Sequence, residues 1–136
     1  LEGQVALSCG AFAIDPSAID LGDPDGAEES RDIQYVCNSA AGFTRTISSD
    51  NAGVLVRIGG DAGEGDTIPY EVASGGGAGL SFDFRRLERP EVTVAADSRF
   101  LQGVQGGLSV RVRSGAVSRA FAGEYVDTIR VEVTAN

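Results

Sequence analysis

Carboxylates are the only abundant groups in this sequence with the makings of acid–base chemistry. Twenty Asp and Glu stand against eleven basic residues, all of them Arg, and His, Lys, Met and Trp are absent. Without imidazole or amine the chain lacks the commonest general base and the Schiff-base nucleophile. No Ser-His-Asp or Cys-His arrangement can be assembled within it. Zinc and copper lose their favoured nitrogen ligand, and Cys9 and Cys37 alone cannot complete a four-thiolate site. A glycosidase needs only two carboxylates, but three Tyr and no Trp offer no aromatic platform for a sugar. The expectation is a protein that is not an enzyme, with no catalytic residues, no metal and no cofactor.

The clustered acids read as turns. Asp23-Pro24-Asp25-Gly26 with Glu28 and Glu29 lacks the ligand spacing of a calcium loop, and Asp61, Glu64 and Asp66 lie among glycines. Gly59-Gly60 and Gly75-Gly76-Gly77 are not followed by the Gly-Lys-Ser/Thr of a phosphate loop. Arg85, Arg86 and Arg89 form a small basic cluster, read as a salt-bridged or solvated surface, with docking on an acidic neighbour as the alternative. A net charge of −9 repels phosphate backbones and anionic membrane faces, so no nucleic-acid partner is expected. No apolar run approaches membrane-spanning length, so no membrane insertion is expected.

The elements that position these groups have a period of two. Ile33, Tyr35 and Cys37 alternate with Asp32, Gln34 and Val36, and polar neighbours alternate with Phe82 and Phe84, then Leu108, Val110 and Val112, then Ile129, Val131 and Val133. Each pattern predicts a strand with one buried face. Weaker strand candidates are 12–14, 43–48, 54–58, 67–73, 92–96 and 99–104. Turn clusters recur between them, the spacing of an all-β sandwich or barrel. The length of 136 residues fits one domain.

The chain starts at Leu1 and contains no Met, which reads as a processed product whose signal peptide has been removed. Cys9 and Cys37 are then an even pair in an exported domain, where one disulfide worth roughly 3–4 kcal/mol is the default. In a cytosolic protein they are two buried thiols. Residues 124–135 read as the longest clean strand. Residues 3–8 are a short alternating segment with Val5 and Leu7 on one face. Such a segment is either the first strand of its own sheet or a detachable strand completing the sheet of another copy.

The run Ala122-Gly123-Glu124-Tyr125-Val126-Asp127-Thr128-Ile129-Arg130-Val131-Glu132-Val133 resembles the closing strand of the spore coat protein U family, which includes the subunits of archaic chaperone–usher pili. The likeness rests on a Gly, a Tyr two residues on, Asp-Thr and an alternating apolar strand. Gly3-Gln4-Val5 is similar to the start of the donor strand in such pilins, and Cys9 and Cys37 match the family's disulfide pattern.

The resemblance implies an immunoglobulin-like β-sandwich that lacks its last strand and is completed by a donor strand from a neighbouring subunit. Residues 1–8 would be the donor segment and residues 9–136 the pilin domain. Val5 and Leu7 would fill the groove of the next subunit, with Leu1 and Gly3 as further inward positions. Ile129, Val131 and Val133 would line or support the acceptor groove, and Tyr125 would pack at the start of that strand with its hydroxyl bonded to backbone. Eight residues reach about 26 Å, which suffices for a strand of ordinary length.

The implied function is a structural subunit of an extracellular pilus, polymerising by donor-strand exchange and supporting surface attachment and biofilm formation. Its partners would be identical or related subunits in a head-to-tail filament, with a periplasmic chaperone and an outer-membrane usher during assembly. It would be exported, pass through the periplasm and end in a cell-surface fibre. Two alternatives remain. One is a self-complete β-sandwich acting as a tip adhesin or carbohydrate-binding domain through the glycine loops 59–66 and 74–79. The other is a spore-coat structural protein of the same fold.

Overall fold

The computed structural model describes residues 1–15 and 18–136. Among the described residues, alternation of apolar and polar side chains produces eleven strands: β1 (Cys9–Ala13), β2 (Glu28–Cys37), β3 (Phe43–Ser49), β4 (Val54–Arg57), β5 (Thr67–Pro69), β6 (Glu71–Ser74), β7 (Phe82–Arg85), β8 (Glu91–Ala95), β9 (Val104–Arg111), β10 (Tyr125–Val126) and β11 (Ile129–Ala135). One layer is a five-stranded sheet in the order β1-β2-β9-β6-β7. Facing it are two three-stranded sheets, β11-β3-β8 and β10-β4-β5. All pairings are antiparallel. The fold is therefore all-β and sandwich-like.

The strands expected at 33–37, 82–85 and 129–133 form, and the one expected at 108–112 forms as far as Arg111. Three readings change. The candidate strand 67–73 splits at Tyr70 into β5, which pairs with β4, and β6, which joins the five-stranded sheet between β9 and β7. Residues 124–135 are not one strand: β10 pairs with β4 and β11 with β3, and the chain breaks at Asp127-Thr128. The break occurs because the partner chain makes the excursion Asp50–Gly53 there, and a single straight strand cannot follow both halves. The candidate strand at 99–104 instead holds a short 3-10 helix, Ser98–Leu101, started by the Asp97 carboxylate, which accepts from the Arg99 N–H. It places Phe100 edge-on against Phe43 in the core.

The core lies between the layers. Ile33, Tyr35, Val72, Leu108 and Val110 point inward from the five-stranded sheet, and Phe43, Ile47, Leu55, Ile68 and Tyr70 from the opposite side. Cys9 and Cys37 face one another across the β1–β2 ladder and form the expected disulfide. It fastens β1, an edge strand with a single neighbour, to the body of the sheet.

Arg45 occupies a core position that the period-two pattern of β3 assigns to an apolar residue, between Phe43 and Ile47, and it is fully buried. Its guanidinium donates to Tyr35 Oη (3.1 Å), Ser74 Oγ (3.0 Å) and the Leu80 carbonyl (2.7 Å). The charge also lies over the rings of Tyr35 and Phe82, at 5.3 and 5.8 Å. Among the described residues it forms no ion pair; neutral acceptors and π faces take the place of a carboxylate. This one side chain joins β3 to β2, β6 and the Leu80 segment, so it ties the two layers together.

Arg45→Ala removes that tie and opens a cavity. Urea unfolding is expected to show a loss of about 3–5 kcal/mol, with Arg45→Met, which keeps the stem volume, losing less. Equal stability of Arg45→Ala and the parent would show that the layers are held by apolar packing alone.

Candidate functional site, an open seam between two strand edges

β1 and β11 are the edge strands of opposite layers. Their free backbone groups can be assigned from the ladders. Asp50 N–H donates to Thr128 O and Asn136 N–H to Gly42 O, so the even-numbered residues of β11 face β3. Antiparallel alternation then leaves the N–H and C=O groups of Ile129, Val131 and Val133 on the open side. On β1, Asn38 N–H donates to Ser8 O and Ile14 N–H to Asp32 O, so Cys9, Ala11 and Ala13 have their backbone groups on the open side in the same way. Neither edge is paired with another strand among the described residues.

Over part of their length β1 and β11 approach within 8 Å, Cα to Cα, and where they part lies a groove of about 1060 Å³. Ala11 and Ala13 form one wall, Ile129 and Val131 the other, and Ile33, Leu108 and Val110 the floor. Leu55 and Tyr70 close its wide end, where Tyr125 and Asp127 also face it. Val133 does not line this space; it packs on the core at the narrow end, as does Cys9. Ile19 and Leu21 rest against the core at the wide end, on a segment tied down by Arg31 Nη2 donating to Ala18 O at 3.2 Å. Their period-two spacing was the available sequence signal, masked by the adjacent glycine- and aspartate-rich turn.

The Gly-x-Tyr-x-Asp-Thr signature shapes the wide end. Gly123 adopts a φ of +149°, and a Cβ there would press on the Arg57 side chain. Tyr125 Oη donates to the Phe121 carbonyl at 2.6 Å, with the Gly65 carbonyl at 3.1 Å, which fastens the 115–123 segment at the start of the strand. Asp127 accepts from the N–H groups of Asn51 (3.1 Å) and Thr128 (2.7 Å) and from the hydroxyls of Ser49 and Tyr70. One carboxylate thus holds the Asp50–Gly53 excursion in place and stops β10 and β11 from merging.

Leu1–Ser8 is not a strand of this sheet. Val5 is 89% exposed and Leu7 64%, Leu1 is fully exposed, and nothing lies near Gly3. Only the root is held, by Asn38, whose side chain accepts from Ser8 N–H and donates to Ala6 O, both at 2.7 Å. Several members of the acidic and basic clusters pair locally. Asp66 pairs with Arg57 (2.6 Å), Arg85 with Glu91 (2.9 Å) and Arg86 with Glu88 (3.5 Å).

Fold and site together define an all-β sandwich with an open apolar seam and an unpaired, apolar N-terminal segment. No protein-family model matches the chain, and no curated protein matches it. Among the described residues no helix is long and apolar enough to cross a membrane.

Burial, and after it the hydrogen bond and charge of Asp127, push the Tyr70 phenol well above its ordinary value of 10.0. The raised value means that this stabilisation is complete below pH about 10 and is lost as pH rises further. An alkaline titration followed by phenolate absorbance is expected to show a late component that appears only with unfolding. Tyr70→Phe should abolish that component and weaken the fall of stability above pH about 10; a titration unchanged by Tyr70→Phe would contradict the assignment.

Proposed function

We propose that this protein is a structural subunit that polymerises head to tail, each copy inserting its Leu1–Ser8 segment into the seam between β1 and β11 of the next. The observation that carries this reading is the pairing of two features. An apolar groove is flanked by unsatisfied strand edges, and an extended segment with alternating apolar side chains stands free of its own sheet. Either feature alone is a liability in water, because open edges and exposed apolar surface both invite association. Each supplies what the other lacks.

The energetics favour a durable joint. Each of Val5, Leu7 and Leu1 contributes roughly 1.5–3 kcal/mol on burial, and each new ladder bond about 1 kcal/mol net. The contact is heterologous, so it generates an open filament and not a closed ring. Gly3 would lie where the groove is shallow. The resemblance to spore coat protein U and archaic pilin subunits extends the reading to an immunoglobulin-like pilin. Such a pilin would be exported, kept from premature association by a periplasmic chaperone, passed to an outer-membrane usher, and used in a surface fibre for attachment and biofilm formation.

Deletion of residues 1–8 is expected to leave a folded monomer that no longer polymerises, read by light scattering and electron microscopy. Val5→Asp should block assembly similarly, because insertion would bury an unpaired carboxylate. Filaments of unchanged length and stability from the truncated chain would refute the proposal.

A further inference from the structure

Both lips of the groove belong to one molecule, and so does a segment able to fill it. Ser8 and Asn136 are both bonded to the 38–42 turn: Asn38 N–H donates to Ser8 O (3.1 Å), Asn136 N–H to Gly42 O (2.9 Å) and Ser39 Oγ to Asn136 O (2.7 Å). β1 therefore begins where β11 ends, and residues 1–8 leave from the narrow end of their own groove. If they reversed direction at residues 6–8, the five remaining residues would still reach about 16 Å, far enough to lie beside Val131. A tethered segment has an effective concentration on the order of mM. It would outcompete the segment of a second copy present at μM levels. Length and mass action thus both favour self-insertion, and something else must prevent it.

We infer that the Asn38 side chain keeps the N-terminal segment out of its own groove and reserves it for another copy; this inference rests on the donor-strand reading above. Asn38 follows directly on Cys37, the last residue of β2. Its Oδ1 accepts from Ser8 N–H and its Nδ2 donates to Ala6 O, both at 2.7 Å. These peptide groups are among those that a reversal at residues 6–8 has to rotate. With them clamped, the segment stays exposed and outside the groove. Asn38 acts as a positioning residue that selects between intramolecular and intermolecular completion.

The test compares the full chain with Asn38→Ala, which removes both side-chain bonds, and Asn38→Asp, which is isosteric and keeps only the acceptor for Ser8 N–H. Each protein is refolded over a range of concentrations and examined by light scattering and amide exchange. The parent should form polymers in a concentration-dependent way. Asn38→Ala should give roughly ten-fold more monomer, the shift expected from losing two hydrogen bonds. That monomer fraction should not depend on concentration, and its residue 1–5 amides should be protected. Asn38→Asp should fall between the two, and it carries the test if the alanine variant does not fold. A structural role alone would lower the melting temperature without protecting residues 1–5.

Polymerisation equal to the parent, with residues 1–5 unprotected in every monomer, overturns the role of Asn38. Binding of a synthetic Leu1–Ser8 peptide to the chain lacking residues 1–8 separates this failure from failure of the donor-strand reading. Peptide binding with unchanged variants rejects the clamp alone; no peptide binding rejects the groove reading and the clamp with it.

Discussion

Two strand edges, one on β1 and one on β11, are left without a strand partner among the described residues beside a largely apolar groove, and the rest of the molecule is arranged around that seam. Backbone N–H and C=O groups of Ile129 and Val131 on one side, and of Ala11 and Ala13 on the other, are left for solvent. The side chains of the same residues line an apolar space. A sandwich normally gains much of its stability by closing such seams. Here stability has to come from contacts that do not cross it.

Those contacts are unusually polar for a core. Arg45 binds the two layers through hydrogen bonds to neutral acceptors and two aromatic faces. Asp127 collects four donors and fixes the place where β10 gives way to β11. The Cys9–Cys37 disulfide anchors β1, one of the two lips, to its single neighbouring strand. Directional bonds of this kind hold backbone positions even where packing is interrupted, which is the condition needed to keep a groove in shape while it is empty. The signature residues at 123–127 act on the same end of the groove: Gly123 lets the chain pass Arg57, Tyr125 ties down the preceding segment, and Asp127 keeps the excursion in register.

In the proposed filament the groove and the N-terminal segment are two halves of one joint, and the 38–42 turn brings their roots close together. Closeness is a hazard for a polymer, since a molecule that completes itself cannot grow. The polar clamp at Asn38 sits where a reversal of the chain would begin. The strongly acidic surface, with a net charge of −9, adds a general repulsion between subunits. Association through the groove has to overcome that repulsion, which favours a specific joint over indiscriminate sticking.

Period-two alternation determined the all-β class, the strands around Tyr35, Phe82, Val110 and Val131, and the inward faces of those strands, because side-chain direction along an extended chain is a local property. The paired cysteines and the Gly123–Thr128 signature were also legible, as residue types with narrow structural uses. Local patterning could not reveal that 124–135 breaks in two, since the break is imposed by the Asp50–Gly53 excursion on a strand about 75 residues away in sequence. Nor could it distinguish Arg45 from a solvated arginine, or Asn38 from an ordinary turn residue, because their roles depend on acceptors that only folding brings within reach. Whether residues 1–8 join their own sheet was likewise open in the alternation of Val5 and Leu7. The tertiary structure decided it, because pairing requires a free edge at the right end of the right strand, and that is a property of topology and not of composition.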